Sequence, residues 1–459
     1  MIDQIGKVLL YNRYISNLPK VQKSLIGIEL EFPIVNLTNE AVDIIFVRQL
    51  LVELVANHHF IIIKRDDDGY PIEIESKLTK DVIVFEVSYN NLEFALSPVL
   101  DLHQANQRML QYLEIIQNYL GCKQHQLTGM GVNPNWQLND AQPVKSPRYQ
   151  MLMAYLAIYS QYDDVPEHFF HQYPQYGAFI SGSQVQLDVT ETNLLQVLNI
   201  FNQIEPVKAW LFGNSYFWGE HWQTTVARDI FWENSMHGIF PNNVGVFPKW
   251  FESIDEYLDY LTESVIFQVT RNNQTYYFPP IKVKAYFGYD EVIGTGLHGE
   301  SIVITPDIED IKGHRSYNYQ DLTARGTVEF RSCCQQPIHE MMTVAAFHVG
   351  IFNQLSAVEA LIKAQPLFTG QANLTVERAR RHYAEVRLPK EENLAIAQFA
   401  KSLLEIAKAG LEERGLNETV YLEPLIKRAM QLENPAQKAL SWLEEGKKMN
   451  EIIKDYGRI

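Results

Sequence analysis

The sequence predicts an α+β fold built on an antiparallel sheet. Three observations carry that prediction. Residues 1–365 mix short alternating strands, loops and helices without a regular strand–helix–strand rhythm, and a parallel sheet needs that rhythm for its crossover helices. No G-x-x-x-x-G-K-[ST] occurs, so the phosphate-binding turn of a P-loop sheet is missing. From about residue 373 the composition shifts to charged helix formers, as in "AIAQFAKSLLEIAKAGLEERG". The division expected is a main domain over 1–370 and a helical extension over 371–459 packed on it.

The elements follow in order. "GIELEF" at 27–32 and "YPIEIESK" read as strands, with "FEVSYNNLEFALSP" as a hairpin. "DLHQANQRMLQYLEIIQNYLG" reads as a helix with Asp101 as N-cap and Gly121 just past its end. Its apolar stripe runs Leu102, Ala105, Met109, Leu113, Ile116 and Leu120. The Tyr-, Asn- and Pro-rich stretches 130–180 and 213–250 read as long surface loops. "NQTYYFPPIKVKAYFG" reads as strand and hairpin, 338–364 as one longer buried helix, and Gly415 closes a helix in the tail.

Composition narrows the function. Hydrophobic residues make up 46% and aromatics 12% of the 459 residues, enough for a sizeable core. Lys plus Arg is 39 against 55 Asp plus Glu, a net charge of −16. That balance argues against nucleic acid and anionic membranes as partners. Cys122, Cys333 and Cys334 fit neither a disulfide framework nor a C-x-x-C zinc site and read as reduced thiols. The N-terminus lacks a leader pattern, and no run of about 18 apolar residues appears. The expectation is a soluble cytoplasmic protein, monomeric or homodimeric.

Strand alternation carries the chemistry, because successive side chains point to opposite faces. In "GIELEF", Ile28, Leu30 and Phe32 share one face and Glu29 and Glu31 the other, about 7 Å apart. A two-residue turn at Asn90-Asn91 pairs Tyr89 with Leu92, Ser88 with Glu93 and Val87 with Phe94. That register puts Glu86, Ser88 and Glu93 on a polar face. "GSQVQLDVT" sets Gln184, Gln186 and Asp188 opposite Val185, Leu187 and Val189. "GTVEFRS" sets Glu329 and Arg331 opposite Val328 and Phe330. One such strand is an ordinary half-solvated strand as readily as a site. Four with acids and amides on the polar face place like charges on neighbouring strands, which destabilises a sheet unless a cation compensates. Oxygen-only donors suit Mg²⁺, Mn²⁺ or Ca²⁺ rather than zinc. Carboxylates on an open sheet fit Mg²⁺ bridging substrate phosphates. Arg331, Arg228 and Arg148 are the anion-binding candidates, with Arg331 the one whose direction the strand predicts.

These stretches together resemble the glutamate–cysteine ligase family, closest to its plant and proteobacterial type. The likeness runs from "GIELEF" through "FEVSYNNLEFALSP", "GMGVNPNW", "KSPRYQMLMAYL", "SGSQVQLDVT", "EPVKAWLFGNSYF", "ARDIFWEN" and "GTVEFRSCCQQP" to "LLEIAKAGLEERGLNE". It implies a funnel-like curved antiparallel sheet similar to the catalytic domain of glutamine synthetase. It implies Glu29, Glu31, Glu86, Glu93, Glu329 and Gln184 as ligands of Mg²⁺, or Mn²⁺ in its place. Arg228 and Arg331 match arginines that engage glutamate and serve the transfer step, and Arg148, Tyr149 and Gln186 complete the substrate-binding set. The implied reaction uses ATP to phosphorylate the γ-carboxylate of L-glutamate, and the amine of L-cysteine then displaces phosphate. "FALSP", "SCCQQP" and the lack of a Gly-rich loop in "FEVSYNN" depart from the plant pattern near the substrates. They leave open a related ligase with another amine, or a silent relative that binds glutamate or nucleotide.

Overall fold

The computed structural model describes residues 2–162, 169–220, 222–364 and 374–459. Its centre is a nine-stranded antiparallel sheet. The order across it is Gln320–Leu322, Thr327–Cys334, Gly182–Asp188, Ile26–Asn36, Asn91–Val99, Val82–Phe85, Pro71–Ser76, Phe60–Arg65. His125–Leu127 adds to the far end of Ile26–Asn36. The two outer strands do not pair with each other, so the sheet is open. A second sheet of five strands, which alternation did not reveal, is built around Val265–Arg271 and Gln274–Lys282.

The apolar faces behave as the alternation dictates. Ile28, Leu30, Phe32, Val185, Leu187, Val328 and Phe330 are buried in one continuous core with the helix Leu102–Gly121. Asp101 caps that helix by accepting from the Gln104 amide at 2.7 Å. Gly121 is its last helical residue rather than the residue beyond, because Cys122 continues in right-handed geometry. Gly415 does close Lys390–Arg414, at φ +69°, where a side chain would be strained.

Four expectations are corrected. The hairpin pairs Phe85 with Leu92 and Val84 with Glu93, four positions from the expected register. The asparagines make no two-residue turn, since Nδ2 of Asn90 donates to the Asp140 carbonyl and Nδ2 of Asn91 to that of Ile180. Val87 instead takes φ +58° in a wider loop. Residues 338–364 are no single helix: the segments Ile338–Phe352 and Leu355–Ala364 meet at 86°, where Asn353 Nδ2 turns back onto the Val349 carbonyl. After the strand Gln274–Lys282, Val283–Tyr286 is one helical turn. The described residues of the stretches 130–180 and 213–250 are largely packed, with Tyr155, Tyr176, Phe179, Phe217 and Phe231 in a second core.

The domain boundary expected at 370 lies outside the described residues. Beyond it, Lys390–Arg414 packs on Thr343–Phe352, and a Cβ on Gly350 would stand 2.3 Å from the Ala407 carbonyl. No single helix among the described residues is long and apolar enough to cross a membrane.

Candidate active site

Four neighbouring strands bring the polar face together. Glu29 lies opposite Gln184, Glu31 opposite Glu93, and Glu329 opposite Gln186. The four-residue slip in the hairpin is an even number, so Glu93 keeps its face. Glu86, in the loop before that strand, acts electrostatically on both Glu31 and Glu93. Four of the predicted glutamates therefore share one sheet face, and Glu86 lies within electrostatic reach of two of them.

Four of the five acids accept from a neutral donor. Gly182 N–H and Gln184 Nε2 donate to Glu31 at 2.6 and 3.1 Å. Gln186 Nε2 donates to Glu29 at 2.9 Å and to Glu329 at 3.2 Å. Tyr149 O–H donates to Glu86 at 2.6 Å. Among the described residues only Glu329 of the five forms a direct ion pair, with Arg331. Burial, then Glu329, pushes the Glu29 carboxyl up to about 7. Burial raises Glu31 to about 7 as well; Arg228 opposes the rise and Glu86 adds to it. Burial followed by Glu86, Glu29 and Glu31 lifts Glu93 well above the carboxylate range. Like charges crowded in a low-dielectric face cannot all ionise without a counter-cation.

The arginines sit around this face. Arg228 is 6% exposed and comes from the short helix Ala227–Glu233. Its Nη1 donates to the Cys333 carbonyl at 2.9 Å. It fits because residue 182 is glycine; a Cβ there would stand 2.5 Å from Arg228 Nη2. Nε of both Arg228 and Arg331 is buried with no hydrogen-bond partner among the described residues. A buried donor left unpaired is costly, and two of them beside the acids fit an anionic ligand. Arg148 is exposed on the helix Pro147–Ala157, within electrostatic reach of Glu86 and Glu93. Asp188, from the same polar face, is spent elsewhere: it accepts from the backbone of Lys23 and Leu25.

Among the described residues no group of three or more His, Cys, Asp or Glu side chains is already arranged to hold a metal ion. The donor set still fits a hard divalent cation, since it is all oxygen and burial with mutual repulsion drives its acids toward neutrality.

Sequence reasoning missed three contributors. Asp321 lies opposite Glu329, and burial raises its carboxyl to about 6, opposed by Arg331 and helped by Glu329. Arg325, in the turn between the last two strands, donates to Gln186 Oε1 at 2.8 Å. The tight turn in "DLTARGTVEF" was the available signal for both. Arg380, from the helical extension, lies behind the site with Asp229 and Glu205, joined across separations no local pattern reports. Cys333 and Cys334 are buried, and burial pushes the Cys333 thiol up to about 12, which leaves it an inert thiol.

Comparison with known proteins gives this geometry a context. The chain is 20% identical to the chloroplastic glutamate–cysteine ligase of Nicotiana tabacum over 363 residues, 76% of this chain and 63% of that protein. The Solanum lycopersicum enzyme matches to the same extent. Glutamate–cysteine ligase A of Oryza sativa subsp. indica is 20% identical over 328 residues, 69% of this chain and 61% of its own length. The chain thus spans under two thirds of the length of these relatives. A crystal structure of the Francisella tularensis glutamate–cysteine ligase in complex with AMP aligns at TM-score 0.51 and 12% identity. That alignment covers 96% of this chain and 89% of the other, and establishes a shared fold. The family model for glutamate–cysteine ligase family 2 matches residues 25–455, and the chain belongs to that family.

Proposed function

We propose that this protein is an ATP-dependent carboxylate–amine ligase that joins the γ-carboxylate of L-glutamate to the amine of L-cysteine. The observation that carries the reading is the sheet face itself. Five glutamates converge there beside two arginines whose Nε–H donors are buried and unpaired among the described residues, in a chain matched to the family across residues 25–455.

Glu29, Glu31, Glu86, Glu93, Glu329 and Gln184 are the residues that would hold Mg²⁺, or Mn²⁺. Bound there, the metal supplies positive charge against the phosphate oxygens of ATP. The remaining work belongs to the protein. Arg228 and Arg331 offer their free Nε–H donors to substrate carboxylate or phosphoryl oxygen, and their fixed positions turn a bimolecular encounter into an oriented one. Tyr149 holds Glu86, and Arg148 adds positive charge at the open rim. In the first step a γ-carboxylate oxygen attacks the γ-phosphorus of ATP and ADP leaves. In the second, the amine attacks the acyl carbon of γ-glutamyl phosphate; phosphate departs and the amine gives up a proton.

The test is Mg²⁺- and glutamate-dependent ADP release, measured with cysteine and then with a panel of other amines. Cysteine as the best acceptor is the expected result. A different best amine replaces the acceptor and keeps the ligase chemistry. No turnover with any amine, with ATP or glutamate still bound, overturns the enzyme reading in favour of a silent binding protein.

A further inference from the structure

Gln186 hydrogen-bonds both Glu29 and Glu329, and its orientation is dictated from outside the acid cluster. Its Nε2 donates to Glu29 Oε1 at 2.9 Å and to Glu329 Oε1 at 3.2 Å. Its Oε1 accepts from Arg325 Nη2 at 2.8 Å and from Thr327 Oγ1 at 3.4 Å. A guanidinium has five donors and no acceptor. An amide beside Arg325 must therefore present its oxygen to it and turn its NH₂ group toward the acids. Arg325 itself is held in a tight turn. Gly326 N–H donates to the Thr323 carbonyl at 3.1 Å, Thr323 N–H to the Thr327 carbonyl at 2.8 Å, and Gly326 takes φ +81°.

We propose that Arg325 is a positioning residue that latches the Gln186 amide with its NH₂ between Glu29 and Glu329. In the latched state the NH₂ group offsets the repulsion of the two acids, and its positive end opposes a cation at that end of the cluster. With the latch removed, the amide is free to turn its oxygen inward, which adds a hard ligand where a donor stood. Arg325 thereby sets how tightly the Glu29–Glu329 end takes a divalent cation. This inference rests on the ligase reading above for the presence of a metal at that face.

The experiment counts free Mn²⁺ by electron paramagnetic resonance over the full-length protein without substrates, at about 0.15 M salt so that exposed charges are screened. The proteins are wild type, Arg325→Met, Arg325→Lys, Gln186→Leu and the double variant Arg325→Met/Gln186→Leu. Arg325 is exposed, so its variants are expected to fold, and an unchanged unfolding midpoint checks this. Arg325→Met should bind Mn²⁺ about threefold or more tightly, in the range of coupling between contacting residues. Arg325→Lys keeps a donor on Oε1 and should stay within about twofold of wild type. In the Gln186→Leu background the Arg325→Met gain should vanish. The same gain in both backgrounds overturns the latch and leaves Arg325 a plain surface charge, and no gain in either overturns it too. Failure of wild type to bind Mn²⁺ is a different result, which removes the metal site and the latch with it.

Discussion

Two groups of buried carboxylates lie close together in this molecule and are treated in opposite ways. Behind the site, Arg380 donates to Asp229 through Nε and Nη2 at 2.7 and 3.0 Å and to Glu205 through Nη1 at 2.6 Å. Lys208 adds a second cation to Glu205 at 2.6 Å, and Arg380 Nη2 reaches the Ser332 carbonyl. Two acids meet two bases. Burial works to lower the Arg380 pKa, but Asp229 and Glu205 raise it overall. On the sheet face Glu29, Glu31 and Glu93 form no direct ion pair among the described residues, and burial with mutual repulsion outweighs the nearby arginines and drives them toward the protonated form. The first group is a finished structural joint between the helical extension and the site. The second is balanced only when something positive arrives.

Four predictions break or sharpen that contrast. The largest concerns the joint: Arg380→Met leaves Asp229 and Glu205 buried without their main partner and should cost about 3–5 kcal/mol of stability, measured by urea unfolding. The sheet face should respond with the opposite sign. Glu29→Gln or Glu31→Gln removes a repelling charge, so metal-free stability should hold or rise. Ligase turnover should fall about 100-fold or more, the scale for loss of one preorganised electrostatic group. Unfolding curves and ADP release on the same preparations read the two effects.

The third prediction is a pH profile. The folded pKa of Glu29 and Glu31 is about 7 against an ordinary value of 4.5, so the native state holds protons that the unfolded chain has released. Their stabilisation is complete below about pH 4.5 and is lost as pH rises to about 7, at up to about 1 kcal/mol per pH unit for one such group. Unfolding scans without metal should show this fall, and saturating Mg²⁺ should flatten it. The smallest effect is expected of Tyr149→Phe, which takes one hydrogen bond from Glu86. It should cost about 1 kcal/mol and move half-saturation by Mg²⁺ less than about threefold. A larger loss would mean Glu86 depends on Tyr149 as a joint residue does.

The contrast also explains what the sequence could show. Alternation reports which face a residue takes, so Glu29, Glu31, Glu93, Gln184, Gln186 and Glu329 were legible from period 2 alone. The hairpin register was not, because Asn90 and Asn91 are bound to Asp140 and Ile180, contacts that no local pattern contains. The error was harmless to the site only because a slip of four preserves parity. Arg380 was illegible for the same reason: Asp229 and Glu205 stand 151 and 175 positions away. The break at Asn353 interrupts a run that is apolar on every side, where periodicity gives no signal. Arg228 carried only a weak signal, and its place depends on the absence of a side chain at Gly182.

If the site is the proposed metal site, its sheet-face carboxyls are held partly protonated until a divalent cation replaces their protons. Calorimetry of Mg²⁺ binding at pH 7, repeated in buffers of different ionisation enthalpy, counts the protons released. Wild type should release about one proton per site filled, because metal ligands must be deprotonated to bind. Glu29→Gln and Glu31→Gln should each release less. Mg²⁺ binding with no proton release, or with release unchanged in both variants, would contradict it.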